Sequence, residues 1–244
     1  MQLHISKDIN ELSKNFADWL VDYAKETLQK QDIFTIALSG GSTPKLLHKL
    51  LASDAYKNKI DWGKWHFFMG DERFVPVTDD RSNAKMCYET LLNHVPVKEE
   101  QIHFYQTENI TPQESSIEYE KILRQYFDGK KTGLDVIILG MGDNAHTLSL
   151  FPHEAIIFEE KKWVDSFWLD EQNMYRITMT HPVANHAAQV CFLAAGENKQ
   201  EALKEVLEGE YNPNEYPSQI IKPNPGELHW FVDEAATELL KNSY

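Results

Sequence analysis

The sequence predicts an α/β protein, a mostly parallel sheet with helices on both faces, within a single domain over residues 1–244. Three observations carry this. Short apolar runs of strand length alternate with helix-period segments along the whole chain. Several of those runs end in clusters of glycine and polar side chains. A composition of 42% hydrophobic and 11% aromatic residues suffices for one large core in 244 residues. Right-handed crossovers in a parallel sheet return the carboxyl ends of the strands to one edge, so the polar clusters are expected to meet there.

Ile9, Leu12, Phe16, Trp19, Tyr23 and Ala24 recur at steps of three and four between acids and lysines, the pattern of an amphipathic helix. Residues 33–38 (IFTIAL) form a buried strand that runs into Ser39, Gly40, Gly41, Ser42, Thr43 and Pro44, and the segment KLLHKLLA that follows is helical. A strand, glycine-rich turn and helix gather backbone N–H groups and the positive end of a helix dipole around an anion. The hydroxyls of Ser39, Ser42 and Thr43 add donors, and Pro44 suits the first helical turn, where its missing N–H costs little. Phosphate is the anion this turn favours. It lacks the Gly-Lys-Ser/Thr ending of a Walker A loop, and Pro44 stands where a Gly-x-Ser-x-Gly nucleophile elbow needs its last glycine.

Residues 65–69 (WHFFM) read as the next strand, followed by Gly70, Asp71, Glu72 and Arg73 in a turn. Three charges directly after a buried strand must be solvated, paired or used. Ser82 or Asn83 caps a helix over 84–95, residues 102–105 form a short strand, and residues 115–127 form a helix with Tyr119, Leu123 and Phe127 on its apolar face. Residues 154–173, rich in charge and tryptophan, yield no assignment. Residues 174–180 alternate as a strand that ends at His181 and Pro182, and Asn185 and His186 sit on a short helix. Residues 189–195 (QVCFLAA) are a buried strand closing on Gly196, with Lys199 in the first turn of the next helix. A lysine has the wrong sign for a helix N-terminus, so it either faces a bound anion or is simply solvated. A proline-rich connection over 212–225 leads to a last strand, 228–232, and a terminal helix.

Chemistry is densest over residues 134–152. An apolar strand leads to a turn on Gly140 and Gly142 and then to Asp143, Asn144, His146, Thr147 and Ser149. Gly140 to Ala145 matches the Gly-x-Gly-x-x-Gly/Ala dinucleotide pattern. The match is incidental, because polar side chains stand where that pattern needs an apolar helix, and Glu159 and Glu160 lie in a charged stretch. His146 is the expected chemical centre. A histidine with an arginine, but without a nucleophilic Ser elbow or Cys, indicates general-base activation of water or proton shuffling on a sugar phosphate.

A formal charge of −14 without any run of Lys or Arg argues against nucleic acid and acidic membrane surfaces as partners. Cys87 and Cys191 fall in no metal or redox spacing and read as reduced packing residues. His181 and His186 stand five apart around Pro182, so no metal is expected. No run approaches the ~18 apolar residues of a membrane helix. The first residues lack a signal-peptide core, and a cytoplasmic location is expected. No feature of the sequence fixes an oligomeric state.

Taken in order, Ser39-Gly-Gly-Ser-Thr-Pro44, Gly70-Asp-Glu-Arg-Phe-Val-Pro76 with Ser82-Asn83, Gly140-Met-Gly with His146-Thr-Leu-Ser-Leu-Phe-Pro152, and Arg176-Ile-Thr-Met-Thr180 with Pro182 and Asn185 resemble the 6-phosphogluconolactonase family. The likeness continues through Gly196, Lys199, Glu201-Ala-Leu and Gly226 to Trp230-Phe231. The resemblance implies a Rossmann-like fold shared with glucosamine-6-phosphate deaminases and isomerases. It also implies hydrolysis of 6-phospho-D-glucono-1,5-lactone to 6-phosphogluconate in the pentose phosphate pathway, without metal or organic cofactor. Deaminases follow their histidine with an Ile-Ala-Phe-Asn-Glu-Pro type segment carrying a catalytic Glu; Thr-Leu-Ser-Leu-Phe-Pro here has no acid, which favours the lactonase branch. Carried over, Ser39, Gly40, Gly41, Ser42 and Thr43 with Lys199 hold the phosphate, Arg73 faces the lactone carbonyl, and His146 is the general base, with Asp71, Asp143 and Asn144 in support. A sugar-phosphate binder without efficient chemistry, or a deaminase-like enzyme, are the alternatives.

One departure stands out. The family usually reads Asp-Gly-His where this chain has Asn144-Ala145-His146. Either the acid is dispensable for a reactive ester, or Asp143 substitutes for it, or the activity is weak. A left-handed backbone at Ala145 would cost ~1–2 kcal/mol, so ordinary dihedrals are expected there.

Overall fold

The chain begins with strand β1 (Gln2–Ser6) and helix α1 (Ile9–Leu28), followed by β2 (Phe34–Leu38), α2 (Ser42–Leu51) and the single turn α3 (Asp54–Lys57). Next come β3 (Trp65–Met69), β4 (Asp71–Arg73), α4 (Asn83–Thr90), β5 (Ile102–His103), α5 (Pro112–Phe127) and β6 (Val136–Gly140). The remainder comprises β7 (Val164–Leu169), β8 (Met174–Met179), α6 (His181–Asn185), β9 (Gln189–Ala194), α7 (Gln200–Glu208), β10 (Glu227–Asp233) and α8 (Glu234–Thr237). This computed structural model describes residues 1–242.

Seven strands form one sheet in the order β1-β10-β9-β6-β2-β3-β5, and each neighbouring pair is parallel. Every residue of β2 is buried, and β6 and β9 are buried over all but one residue each, which requires helices over both faces and accounts for their unbroken apolar character. Strand order reverses between β2 and β6. From β2 the chain builds outward through β3 to β5, and from β6 through β9 to β10. Such a reversal opens a crevice at the carboxyl ends of the two strands, the usual ligand position in an open parallel sheet.

Helix α1 starts at Asp8, whose carboxylate accepts from the N–H groups of Asn10 and Glu11 at 2.8 and 3.0 Å. Its buried stripe of Leu12, Phe16, Leu20 and Ala24 lies on the sheet, with Phe16 edge-on to Phe231 at 4.9 Å. Thr111 and Glu114 form a reciprocal capping box at the start of α5, three residues before the apolar pattern begins. Among the described residues no helix is long and apolar enough to cross a membrane.

The second sheet, β4-β8-β7, is antiparallel. It corrects two readings. Residues 71–73 are not a turn but a strand paired with residues 176–178, and the unassigned stretch 154–173 supplies β7. Burying Asp71 and Glu72 in a strand is affordable because each finds partners. Glu72, 1% exposed, accepts the N–H groups of Arg73, Asn83 and Ala84 at 2.7–2.8 Å and so caps α4. Burial pushes its carboxyl up, and those N–H groups pull against it.

Candidate active site

The crevice between β2 and β6 holds a cavity of about 210 Å3. The turn after β2 contributes Ser39, Gly40, Gly41, Ser42 and Thr43; β4 contributes Asp71 and Arg73; the turn after β6 contributes Gly142 and His146; and Lys199 enters from beyond β9. The four polar clusters expected at one sheet edge therefore line one space. Asp143 and Asn144 are exposed and are not part of the cavity wall, although Asn144 touches His146.

Gly41 is the N-cap of α2 with φ +105°, a backbone that L side chains rarely adopt, and no side chain caps the helix. The first turn carries no acid, and Pro44 has no N–H to satisfy. The start of α2 thus directs N–H groups and dipole at the cavity, flanked by the hydroxyls of Ser42 and Thr43. Lys199 is half-buried, and burial lowers its ammonium against the pull of Asp143. It stands at the end of a 3-10 turn, residues 197–199, one residue before α7, so the helix begins slightly later than the sequence suggests.

Arg73 donates from Nη1 to the carbonyl of Arg81 at 2.7 Å, which anchors the guanidinium in the cavity wall. Opposite it in the β4–β8 register is Arg176, 3% exposed, another wall residue that sequence reasoning did not single out. Arg176 Nη2 donates to Asp71 Oδ2 at 2.7 Å and Nη1 to Gln172 Oε1 at 2.9 Å. Ser149 Oγ donates to the same Asp71 oxygen at 2.6 Å. Burial raises the Asp71 carboxyl, but the guanidiniums of Arg176 and Arg73 and the Ser149 hydroxyl outweigh it, so the group sits below its ordinary range. Asn83, also in the wall, donates from Nδ2 to the carbonyl of Asp71 at 2.9 Å. Arg176 shares its phase of the strand with Thr178 and Thr180, the polar phase, so the alternation by itself gave no signal that it lines a cavity.

His146 stacks on Phe151 at 4.2 Å and 18°. Its Nδ1 lies 2.6 Å from Asn144 Oδ1. Burial pulls its imidazole down to about 4; Asp71 and Asp143 oppose this, while Arg176 and Lys199 reinforce it. The ring is neutral at pH 7. Asp143, one of the three ways the missing acid was accounted for, acts on the ring by charge, while Asn144 holds the hydrogen bond. The expectation of ordinary dihedrals at Ala145 is wrong: its φ is +61°, and Leu148 at +53° and His153 at +67° are also left-handed. Ser218 secures this loop by donating its N–H and hydroxyl to the Ala145 carbonyl at 3.0 and 2.7 Å.

Fold and site together define a parallel α/β protein with an uncapped helix terminus and a histidine facing one cavity at its switch point. Residues 7–230 match the family described as glucosamine-6-phosphate isomerases/6-phosphogluconolactonase, and the chain belongs to it. It is 37% identical to the 6-phosphogluconolactonase of Nostoc sp. over 237 residues, 96% of each chain. It is 40% identical to that of Synechocystis sp. over 210 residues, 85% of each. Among solved structures, the devB protein superposes with TM-score 0.89 at 29% identity, covering 97% of this chain and 98% of that one. The 6-phosphogluconolactonase of Trypanosoma brucei gives 0.85 at 25% identity over 98% of both. A monomeric glucosamine-6-phosphate deaminase, at 18% identity and TM-score 0.83, shares the fold.

Proposed function

We propose that the protein is a carboxylic ester hydrolase that opens 6-phospho-D-glucono-1,5-lactone to 6-phosphogluconate, with His146 activating water. The observation that carries this reading is one cavity holding a neutral histidine, an arginine and an uncapped helix start. The N–H groups at the start of α2, the hydroxyls of Ser42 and Thr43, and Lys199 bind the phosphate dianion. Ser39, Gly40 and Gly41 shape that cradle. His146 takes a proton from water as the resulting hydroxide attacks the lactone carbonyl. Arg73 stabilises the oxyanion, worth about 3 kcal/mol for a donor of this kind. Collapse breaks the bond from the carbonyl carbon to the ring oxygen, and the imidazolium returns its proton to that oxygen. The acid product then ionises to a carboxylate.

The test is lactone disappearance above its spontaneous hydrolysis, for the protein and for His146→Ala. Acceleration that vanishes in the variant is expected. Acceleration that survives it would discard His146 as base. A folded protein that binds 6-phosphogluconate without accelerating hydrolysis would overturn the enzymatic reading in favour of a binder.

A further inference from the structure

We propose that Asn144 is the positioning residue of the base: its side-chain oxygen holds His146 with the proton on Nδ1, leaves Nε2 as the proton acceptor, and adds no negative charge. The proposal deepens the reading above and rests on it for the reaction, while the tautomer stands on geometry alone.

Asn144 Oδ1 lies 3.2 Å from the backbone nitrogen of His146 as well as 2.6 Å from Nδ1. A backbone N–H can only donate, so the amide must turn its oxygen, not its NH2, to this corner. An amide oxygen can only accept, so the ring nitrogen facing it carries a proton. A neutral imidazole has one N–H, which leaves Nε2 with its lone pair. Phe151 fixes the ring plane, and Gly142 N–H donates to the His146 carbonyl at 2.8 Å, closing the loop.

Gly142 provides the room. A Cβ at residue 142 would overlap His146 Nδ1 and stand 2.7 Å from Asn144 Oδ1. The φ of Gly142 is not positive, so an alanine there is excluded by the His146 ring and the Asn144 amide oxygen and not by the backbone. Asn144 is exposed and outside the cavity wall, so it acts through His146 and not on substrate.

The charges facing His146 are Asp71 from β4, Arg176 from β8, Lys199 from beyond β9, and Asp143 from its own loop. A carboxylate at position 144 would add an opposite charge in hydrogen-bond contact and favour the imidazolium. The amide orients the ring without that effect. The consequence is a base that stays unprotonated well into acid and an imidazolium that returns its proton readily to the departing ring oxygen.

Two-bond proton–nitrogen NMR on the 15N-labelled full chain reads the tautomer without substrate. At pH 7 His146 is expected as Nδ1–H with a bare Nε2. Asn144→Leu and Gly142→Ala should each abolish that preference. In Asn144→Leu, kcat for lactone hydrolysis should fall about 100-fold with KM nearly unchanged, the signature of a misplaced catalytic group. Asn144→Asp should keep the tautomer and move the acid limb of kcat/KM upward by about one pH unit or more. An Nε2–H tautomer in the unsubstituted protein, or an unaltered tautomer in Asn144→Leu, overturns the proposal. A correct tautomer in a protein that does not hydrolyse the lactone would sustain the positioning and refute the lactonase reading instead.

Discussion

Replacing Asp71 with Asn should be among the more damaging single changes to the cavity wall, and its size follows from what surrounds the carboxylate. Asp71 is 5% exposed and Arg176 3%, with 2.7 Å between Nη2 and Oδ2. Asn keeps an acceptor for Ser149 but removes the charge. Arg176 is then left with Gln172 at 2.9 Å and with a like charge, Arg73, directly across the β4–β8 ladder. Breaking a buried pair from one side costs about 3–5 kcal/mol. For a chain of this size each kcal/mol moves Tm by roughly 2–4 °C, so a fall of roughly 6–20 °C is expected. The pH dependence has a defined sign. The folded carboxyl lies below its ordinary value of 3.8, so the ion pair contributes fully above that value and is lost as pH falls through the lowered one. The wild-type advantage in urea unfolding should therefore be flat from pH 5 to 8 and close only in strong acid. Asp71→Asn combined with Arg176→Met should recover much of the loss, giving a large coupling in a double-mutant cycle. A loss below about 1 kcal/mol for Asp71→Asn, or strict additivity in the cycle, would refute the assignment of Asp71 as the counter-ion of this wall.

Two further outcomes are expected. Gly41→Ala places a side chain at φ +105° where its Cβ meets nothing closer than 3.8 Å, so the cost is backbone strain of about 1–3 kcal/mol, seen as a lower Tm and weaker binding of 6-phosphogluconate. His48 in α2 is fully buried, its Nε2 has no partner among the described residues, and burial lowers its imidazole to about 4. Because the folded value lies below the ordinary 6.5, the native state carries no penalty above 6.5 and a growing one as pH falls towards 4; His48→Leu should remove roughly 3 kcal/mol of that acid dependence, measured by urea unfolding across the window.

The parallel core was legible because its strands are buried on both faces and read as unbroken apolar runs. Strand β1 was not, since it is a sheet edge paired on one side with β10, and Ile5 is 50% exposed. Strand β7 exposes Trp168 at 43%, and its start is held by Glu120 of α5, which accepts from the N–H groups of Trp163 and Val164 at 2.8 and 3.2 Å. Strand β7, VDSFWL, lacks the alternation that marks a strand, and β1, QLHIS, alternates over five residues only and leaves its apolar Ile5 half exposed. The cradle at residues 39–43 and the turn at His146 were legible because their chemistry is local, set by glycines and caps within a few residues. The acidic strand β4 depends on a partner 105 residues away, Arg176, and no local pattern announces a pair of that separation.

Ala145 tests whether the departure at this turn is a defect or a balanced alternative. Its left-handed backbone costs ~1–2 kcal/mol relative to glycine. Its methyl is fully buried, worth ~0.8 kcal/mol, and alanine restricts the unfolded chain by a further ~0.4–1 kcal/mol. The opposing effects nearly cancel. Ala145→Gly should therefore change stability by less than about 1 kcal/mol, measured by chemical denaturation, and should leave the Asn144–His146 hydrogen bond intact. A gain of about 2 kcal/mol or more would mean that the methyl contributes little and that the hydrogen bonds from Ser218 hold the loop against net strain. The balanced outcome would mean that position 145 imposes no cost, leaving the loss of a carboxylate at Asn144 as the chemically consequential half of the change.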